Sequence, residues 1–308
     1  MLAYLFPGQG AQAVGMGKVF YDASADARDV YKRANAALDF DLTALCFEGP
    51  PEELTKTAPC QLALFVTSLA AFATFQRIAP SAPRPAGMAG LSLGELTALA
   101  AAEAMSFRDG LHLVQARGEA MAECAAHQEG AMLAVIGLSN EAMTAICTAS
   151  GAVGANYNAP EQVVLSGTVR AIEQAAQLAK EQGAKRAIRL EVAGAFHSPL
   201  MQPAADALKE VLSKIDLHPA RVPVISNVTG RPVQDPAAIR DLLVKQIVSP
   251  VLWEASMRHL IQAGATHFLE FPPARVLTGL LRRIERGVTG VPVDAPKDFK
   301  QLTGLLSA

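Results

Sequence analysis

Short apolar runs and longer amphipathic stretches alternate along most of the chain. Residues 2–6 form an apolar run that Pro7-Gly8-Gln9-Gly10 ends, which predicts a buried strand and a glycine-rich turn. Residues 86–91 predict a second strand, followed by helices at 95–105 and 107–125. Such alternation predicts a mostly parallel sheet with helices on both faces. The later predicted elements are helices at 201–215, 236–248, 253–263 and 276–286 and strands at 222–226 and 266–271.

The middle of the chain has a different order of elements. Two helices are predicted there, with Ser139 and Thr168 as their N-caps. Around them lie strands at 131–138, 152–158, 162–166 and 185–192. The resulting order, β-α-β-β-α-β, is the ferredoxin-like pattern. We therefore expect a large α/β core formed by residues 1–127 and 195–308, with a ferredoxin-like small subdomain inserted at 128–194.

Composition narrows the class of protein. The 308 residues are 51% hydrophobic and 18% charged, which is enough apolar material for a full core and excludes intrinsic disorder. The net charge of −2 argues against a dedicated nucleic-acid binder. The longest apolar run, residues 62–75, is shorter than the roughly 20 residues that a bilayer requires, and the N-terminus lacks the basic region of a signal peptide. We expect a cytoplasmic protein that binds no nucleic acid and no membrane.

The cysteines do not indicate a disulfide scaffold or a metal site. Cys46, Cys60, Cys124 and Cys147 form no C-x-x-C pair, and no histidine lies at ligand spacing from any of them. Scattered cysteines in a chain of this length are typical of buried, reduced thiols. We expect no metal and no permanently bound cofactor.

One motif has the form of a nucleophile elbow. Gly90-Leu91-Ser92-Leu93-Gly94 is a G-x-S-x-G pattern between a predicted strand and a predicted helix, which is the context that such an elbow needs. The helix N-terminus behind Ser92 favours developing negative charge. Because glycine and serine are common, the alternative is a plain turn between a strand and a helix.

Two further side chains fit the same chemistry. A serine nucleophile needs a base, and His197 lies at a strand–helix junction where it can reach a cleft; the alternative is an ordinary polar junction residue. Arg117 lies on an apolar helix, with Met121 one turn further on the same face. A guanidinium there is suited to bind a carboxylate, although a solvated helix arginine is an equal alternative.

Gln9, in the first glycine-rich turn, is a candidate for an oxyanion-hole amide, or simply a turn residue.

Taken together, these segments resemble the malonyl-CoA:acyl-carrier-protein transacylase family, including the acyltransferase modules of polyketide synthases. The resemblance runs nearly end to end and includes the predicted position of the small subdomain. It implies an α/β fold with an α/β-hydrolase-like core. The segments that carry it are Pro7-Gly8-Gln9-Gly10-Ala11-Gln12, Gly90-Leu91-Ser92-Leu93-Gly94-Glu95, Gln115-Ala116-Arg117-Gly118, Ala195-Phe196-His197-Ser198 and Val276-Leu277-Thr278-Gly279.

The resemblance implies a role for each site residue. Ser92 would carry the acyl group as an ester, and His197 would act as its base and then its acid. The backbone amides of Gln9 and Leu93 would form the oxyanion hole, and Arg117 would hold the malonyl carboxylate. A backbone carbonyl orients the histidine in the family, and Gln246 is the position expected here. The remaining candidates for substrate contact are Phe196, Met121 and Leu91, and Asn156 and Asn158 match an asparagine pair near the cleft.

Two positions depart from the commonest form of the family. Leu91 stands where a histidine usually precedes the nucleophile, which resembles free-standing acyltransferases that serve polyketide synthases in trans. Pro272-Pro273-Ala274 replaces the usual Gly-Pro-Gly before the last helix. That segment is expected to shape a surface for the carrier protein.

The predicted activity is transfer of a malonyl group from malonyl-CoA to an acyl carrier protein. An acyl-thioester hydrolase on the same scaffold is one alternative, although Arg117 would disfavour plain acyl chains. A non-catalytic module that docks a carrier protein is the other alternative. Two basic clusters could face such an acidic partner, or could be solvated surface; they are Lys180, Lys185, Arg186 and Arg189, and Arg282, Arg283 and Arg286.

Overall fold

Two β-sheets organise the chain in a computed structural model that describes residues 1–273 and 275–299. The described residues contain ten strands: β1 (Leu2–Phe6), β2 (Gly87–Gly90), β3 (Ala131–Ile136), β4 (Val153–Ala159), β5 (Gln162–Gly167), β6 (Arg186–Arg189), β7 (Val224–Ile225), β8 (Pro232–Val233), β9 (His267–Glu270) and β10 (Thr289–Pro292).

Helices cover both faces of the larger sheet and one face of the smaller. They are α1 (Lys18–Ala23), α2 (Ala25–Ala37), α3 (Leu42–Glu48), α4 (Pro51–Thr55), α5 (Thr57–Ile78), α6 (Leu93–Ala101), α7 (Phe107–His127), α8 (Asn140–Ser150), α9 (Val169–Glu181), α10 (Gln202–Leu212), α11 (Pro236–Gln246), α12 (Trp253–Gln262) and α13 (Val276–Ile284). A short 3-10 helix, Pro199–Met201, precedes α10.

The larger sheet is mostly parallel, as the alternation of strands and helices predicts. Its order is β10-β9-β1-β2-β7-β8, and every pair is parallel except β7 with β8. All five residues of β1 are buried, since a central parallel strand is covered on both faces. The carboxyl ends of β1 and β2 therefore open at the same edge, where the glycine-rich turn and the G-x-S-x-G motif lie.

The smaller sheet is antiparallel and has the ferredoxin-like strand order. Its order, β4-β5-β3-β6, places the second, third, first and fourth strands of the inserted segment side by side. Apolar side chains from these strands and from α8 and α9 form a separate small core. Val251, which belongs to the larger lobe, lies beside β4 and bonds to it twice: its N–H donates to Ala155 O (2.8 Å) and its carbonyl accepts from Tyr157 N (2.9 Å).

Helix α5 is the central helix of the larger lobe. By length and composition it is apolar enough to cross a membrane, but 83% of its most apolar window is buried inside the protein. A helix that is apolar on all sides is typical of a protein core. Its few polar groups are satisfied internally: Thr67 Oγ1 lies 2.8 Å from Tyr31 Oη, and Ser68 Oγ donates to Pro272 O over 2.7 Å.

Several predicted bounds are wrong. Helix α6 ends at Ala101 and not at 105, because Glu103 is left-handed (φ 58°) and Ala104 N bonds back to Leu99 O over 2.9 Å. Strand β7 has two residues instead of the predicted five. Strands β8 and β10 were not predicted, since each is short and begins or ends with proline. Of the unusual Pro272-Pro273-Ala274 segment, Ala274 lies outside the described residues, as do residues 300–308 of the predicted second part of the core.

Candidate active site

Ser92 occupies a sharp turn between β2 and α6. Its φ is 53°, a left-handed conformation that is costly for a residue with a Cβ. The flanking glycines make the turn feasible. A Cβ on Gly90 would lie 1.9 Å from the backbone of Gly94, and a Cβ on Gly94 would lie 2.1 Å from Phe6 O. The strand, turn and helix therefore pack so closely that only G-x-S-x-G fits, and the hydroxyl of Ser92 stands at the N-terminus of α6.

His197 lies within hydrogen-bond distance of that hydroxyl. Its Nε2 is 2.7 Å from Ser92 Oγ, and its Nδ1 is 2.8 Å from Gln246 O at the end of α11. Because a carbonyl oxygen can only accept, Nδ1 carries the hydrogen and Nε2 presents a lone pair to the serine. Burial, assisted by the charge of Arg117, lowers the pKa of His197 to about 4. At neutral pH the imidazole is therefore an unprotonated base.

Arg117, on α7, is turned into the protein and is only 1% exposed. Its Nη1 donates to Gln61 Oε1 (2.6 Å), while Nη2 donates to Ser92 Oγ (2.9 Å) and Gln246 Oε1 (3.0 Å). Burial lowers the pKa of Arg117 to about 10, and Glu95 partly opposes that shift, so the guanidinium stays charged at neutral pH. Within the described part of the chain, it has no direct contact with a carboxylate, and its Nε has no hydrogen-bond partner.

One backbone amide near the turn is hydrogen-bonded within the protein, and two others have no acceptor among the described residues. Ser92 N donates to Asn227 Oδ1 over 2.7 Å. Leu93 N and Gln9 N have no hydrogen-bond acceptor among the described residues, and both residues line the same cavity. The two amides that the family resemblance assigns to an oxyanion hole thus have no acceptor among the described residues and face the cavity.

Sequence reasoning missed a buried polar network behind the serine. Glu95 Oε2 accepts from Asn227 N (3.1 Å) and from Gln246 Nε2 (2.7 Å). Asn227 Nδ2 donates to Gly90 O (2.8 Å), and Gln246 Nε2 also donates to Ser92 O (3.0 Å). Asn227 follows a parallel strand at its carboxyl end, which is a position that could have drawn attention to it. For Gln246, the sequence indicates only the backbone carbonyl and not the side chain.

These side chains face a cavity of about 440 Å³ between the two lobes. The predicted residues Gln9, Leu91, Ser92, Leu93, Arg117, Met121, Phe196 and His197 all line it, whereas Gln246 lies behind the wall. Asn156 and Asn158 come from β4 of the small subdomain and line it from the other side. A larger cleft, about 840 Å³, lies at the opposite end of the larger sheet and contains none of the predicted site residues.

Neither basic cluster contributes a side chain to the lining of this cavity. Lys185 forms an exposed ion pair with Glu161 over 3.6 Å, and Arg186 and Arg189 are exposed on β6. Arg283 donates to Gln162, which lines the cavity, over 2.8 Å.

Across residues 1–273 and 275–299, no group of three or more His, Cys, Asp or Glu side chains is placed to hold a metal ion.

An unprotonated imidazole that bonds to a strained serine at a helix N-terminus, beside backbone amides without acceptors, is the arrangement that acyl transfer through a serine ester requires. Comparison with known proteins agrees with that class: residues 3–295 match the family described as the acyl transferase domain, and the chain belongs to this family.

Characterised relatives give a finer comparison. The chain is 44% identical over 304 residues to the malonyl CoA-acyl carrier protein transacylase of Bacillus subtilis, covering 97% of this chain and 95% of that protein. The structure resembles an acyl-carrier-protein S-malonyltransferase from Bartonella henselae with a TM-score of 0.95, 37% identity and coverage of 100% and 99%. It also resembles a malonyl-transacylase in complex with a type II polyketide synthase acyl carrier protein, with a TM-score of 0.93, 37% identity and coverage of 97% and 98%.

Proposed function

We propose that the protein transfers a malonyl group from malonyl-CoA to the phosphopantetheine thiol of an acyl carrier protein, through a malonyl ester of Ser92. The observation that carries the proposal is the placement of a charged guanidinium 2.9 Å from the nucleophilic hydroxyl, inside a cavity. A neutral acyl thioester needs no cation at that place. A short acyl group that ends in a carboxylate does, and the relatives with malonyl in their names support that substrate.

In the first half-reaction the Ser92 hydroxyl attacks the thioester carbonyl of malonyl-CoA. Nε2 of His197 takes the hydroxyl proton as the new C–O bond forms. The amides of Gln9 and Leu93 bind the oxyanion, and each such donor contributes roughly 10²- to 10³-fold in rate. When the C–S bond breaks, the imidazolium returns its proton to the sulfur and free CoA leaves.

The second half-reaction reverses these steps with a different thiol. The carrier-protein thiol gives its proton to His197 and attacks the ester of Ser92. The C–O bond then breaks, and the proton passes from the imidazolium to the serine oxygen. The enzyme is restored, and the malonyl group leaves as the thioester of the carrier. No cofactor enters either step, and malonyl-CoA acts only as a substrate.

Two residues of the cavity bear on selectivity. Arg117 would bind the malonyl carboxylate through its guanidinium, so acetyl-CoA would leave that charge without an anion. Phe196 precedes the base in the chain, lines the cavity and is 5% exposed, so we expect its ring to crowd a branch at the α-carbon. A single methyl group changes the free energy of the transition state by only about 1–3 kcal/mol, so we expect a softer discrimination against methylmalonyl-CoA than against acetyl-CoA.

The carrier protein is the partner that the second half-reaction needs. A relative of the same fold was solved in complex with the acyl carrier protein of a type II polyketide synthase, and this supports a carrier of that kind. We place the reaction in the cytoplasm, since α5, the one helix within residues 1–273 and 275–299 that is long and apolar enough to span a membrane, is mostly buried in the core.

Intact mass measurement tests the proposal. After mixing with malonyl-CoA, we expect a malonyl adduct on Ser92, which disappears when a holo acyl carrier protein is added and reappears on the carrier. Ser92→Ala should remain unmodified. Rapid release of free malonate without any carrier would instead support the hydrolase, and an absence of adduct on the wild-type protein would support a docking module.

A further inference from the structure

Glu95 is a buried carboxyl group that the acyl-transfer steps do not use. It is the third residue of α6, is 1% exposed, and is not among the residues that line the cavity. It therefore does not touch a bound substrate. Its Oε2 nevertheless accepts two hydrogen bonds from groups that hold the active site together, Asn227 N and Gln246 Nε2.

We propose that the carboxylate of Glu95 is a positioning group that fixes the orientation of the Gln246 amide and of Asn227, and through them the acylation site. This inference rests on the proposed function, because it concerns how fast Ser92 is acylated.

The first part of the argument concerns the Gln246 side chain. A primary amide has one end that donates and one that accepts. Gln246 directs Nε2 to Glu95 (2.7 Å) and directs Oε1 to Arg117 Nη2 (3.0 Å). A carboxylate only accepts, so it selects this orientation. In the flipped orientation, the NH2 group would face the guanidinium, and two sets of donors would oppose each other.

The second part concerns the backbone of the nucleophile. Gln246 Nε2 donates to Ser92 O (3.0 Å), and Asn227 Oδ1 accepts from Ser92 N (2.7 Å). Both peptide groups around the strained serine are thus held by residues that Glu95 binds, Gln246 through its side-chain amide and Asn227 through its backbone N–H. Since Gln246 also supplies the carbonyl that holds His197, movement of this residue would disturb the base together with the nucleophile.

The ionisation state of Glu95 changes with pH near neutrality. Burial raises its pKa to about 7, against the lowering effects of the bonds from Gln246 and Asn227 and of the charge on Arg117. Arg117 is the charged group that acts on it, and the remaining neighbour, Ser226, is neutral. A protonated carboxyl can donate a hydrogen bond, so protonation removes the preference that fixes the Gln246 amide.

The test is the single-turnover rate of Ser92 acylation, followed by intact mass from about pH 5 to pH 9, for wild type, Glu95→Gln and Glu95→Ala. We expect the rate to fall at least about 10-fold in Glu95→Gln at pH 8, and further in Glu95→Ala, because a displacement of about 1 Å costs on the order of 10²-fold. The loss should be similar for malonyl-CoA and acetyl-CoA and should appear in kcat more than in KM.

The pH profile separates positioning from general damage. The wild-type acylation rate should decline as the pH falls, with an inflection near pH 7 where Glu95 becomes protonated. This inflection should be missing in Glu95→Gln. Glu270→Gln is the matched control, since Glu270 is equally buried but caps α13 through Leu277 N and Thr278 N. That variant should keep the inflection. Because part of the effect of Glu95 passes through Gln246, the rate loss in the double variant Glu95→Gln/Gln246→Ala should be smaller than the product of the two single losses.

Two results would overturn the proposal: a Glu95→Gln rate within about twofold of wild type at every pH, or an unchanged inflection in that variant. If the Glu95 variants do not fold, a wild-type profile without an inflection near pH 7 would also overturn it. Failure of the proposed function is a different outcome, since the wild-type protein would then acquire no malonyl adduct at any pH.

Discussion

Removal of the Arg117 guanidinium should change which thioester the protein accepts. Arg117 is almost fully buried and is held by Gln61, Ser92 and Gln246, all of which are neutral. A malonyl carboxylate that reaches this position would give the cation its direct anionic partner. Arg117→Ala would leave that carboxylate in the cavity without a counter-charge.

The size of the effect follows from burial. Leaving one member of a buried ion pair without its partner costs about 3–5 kcal/mol, which corresponds to a factor on the order of 10² to 10⁴ in kcat/KM for malonyl-CoA. Acetyl-CoA has no carboxylate, so it would lose only the bond from Arg117 Nη2 to Ser92 Oγ. A hydrogen bond to a charged group contributes about 1.5–3 kcal/mol. The ratio of malonyl to acetyl transfer should therefore fall by at least about tenfold.

The assay is the initial rate of Ser92 acylation with each thioester, measured by intact mass for wild type, Arg117→Ala and Arg117→Lys. Lysine keeps the charge but loses the planar fork, so it should recover part of the preference. Arg240→Ala is the control, since Arg240 is a partly buried arginine outside the cavity that donates to Ile215 O. Equal losses for the two thioesters in Arg117→Ala would refute the carboxylate contact.

Three further predictions concern the base, the turn and stability. His197→Gln keeps a polar side chain but no base, and Ser92 acylation should fall by at least about 10²-fold in the mass assay. Gly94→Ala should lose soluble expression or several degrees in Tm by thermal scan, because its Cβ would lie 2.1 Å from Phe6 O; a wild-type Tm would contradict the tight turn. The pKa of His197 is depressed to about 4 and that of Glu95 is raised to about 7. As pH falls from about 6.5 to 4, the unfolded chain protonates its imidazole while the buried one stays neutral, so the fold loses stability. As pH rises from about 4.5 to 7, the unfolded chain ionises its carboxyl while the buried one stays protonated, so the fold again loses stability. Glu95→Gln removes the effect of the carboxyl group and leaves that of His197. In chemical denaturation at several pH values, its free energy of unfolding should therefore rise more steeply than that of wild type as the pH rises from about 4.5 to 6.5.

The sequence predicts most of the architecture because its signals are local. The apolar run of β1, the caps Ser139 and Thr168 and the element order of the inserted segment each depend on neighbouring residues. The prediction fails where a long-range contact decides the outcome. Strand β8 exists because it pairs with β7, and β10 because it pairs with β9; neither has a hydrophobic pattern of its own.

The same distinction holds at the site. Gly90 and Gly94 indicate the elbow because the approach of Gly90 to the backbone of Gly94 lies within five residues of chain, whereas the approach of Gly94 to Phe6 O is visible only in the structure. The network around Glu95 connects it with Asn227 and Gln246, which lie more than a hundred residues further along. Asparagine and glutamine are often surface residues, so their burial against one carboxylate becomes visible only once the two parts of the larger lobe are packed together.

The two hydrogen bonds between Val251 and β4 bear on protein engineering. They make the inserted subdomain an unsuitable part for simple exchange between homologues. A transplanted lobe must present a matching strand edge to Val251, or the peptide groups on both sides lose their partners. Grafts that include residues 246–253 together with the insertion should preserve these two hydrogen bonds, whereas grafts cut only at the two ends of the insertion would lose them.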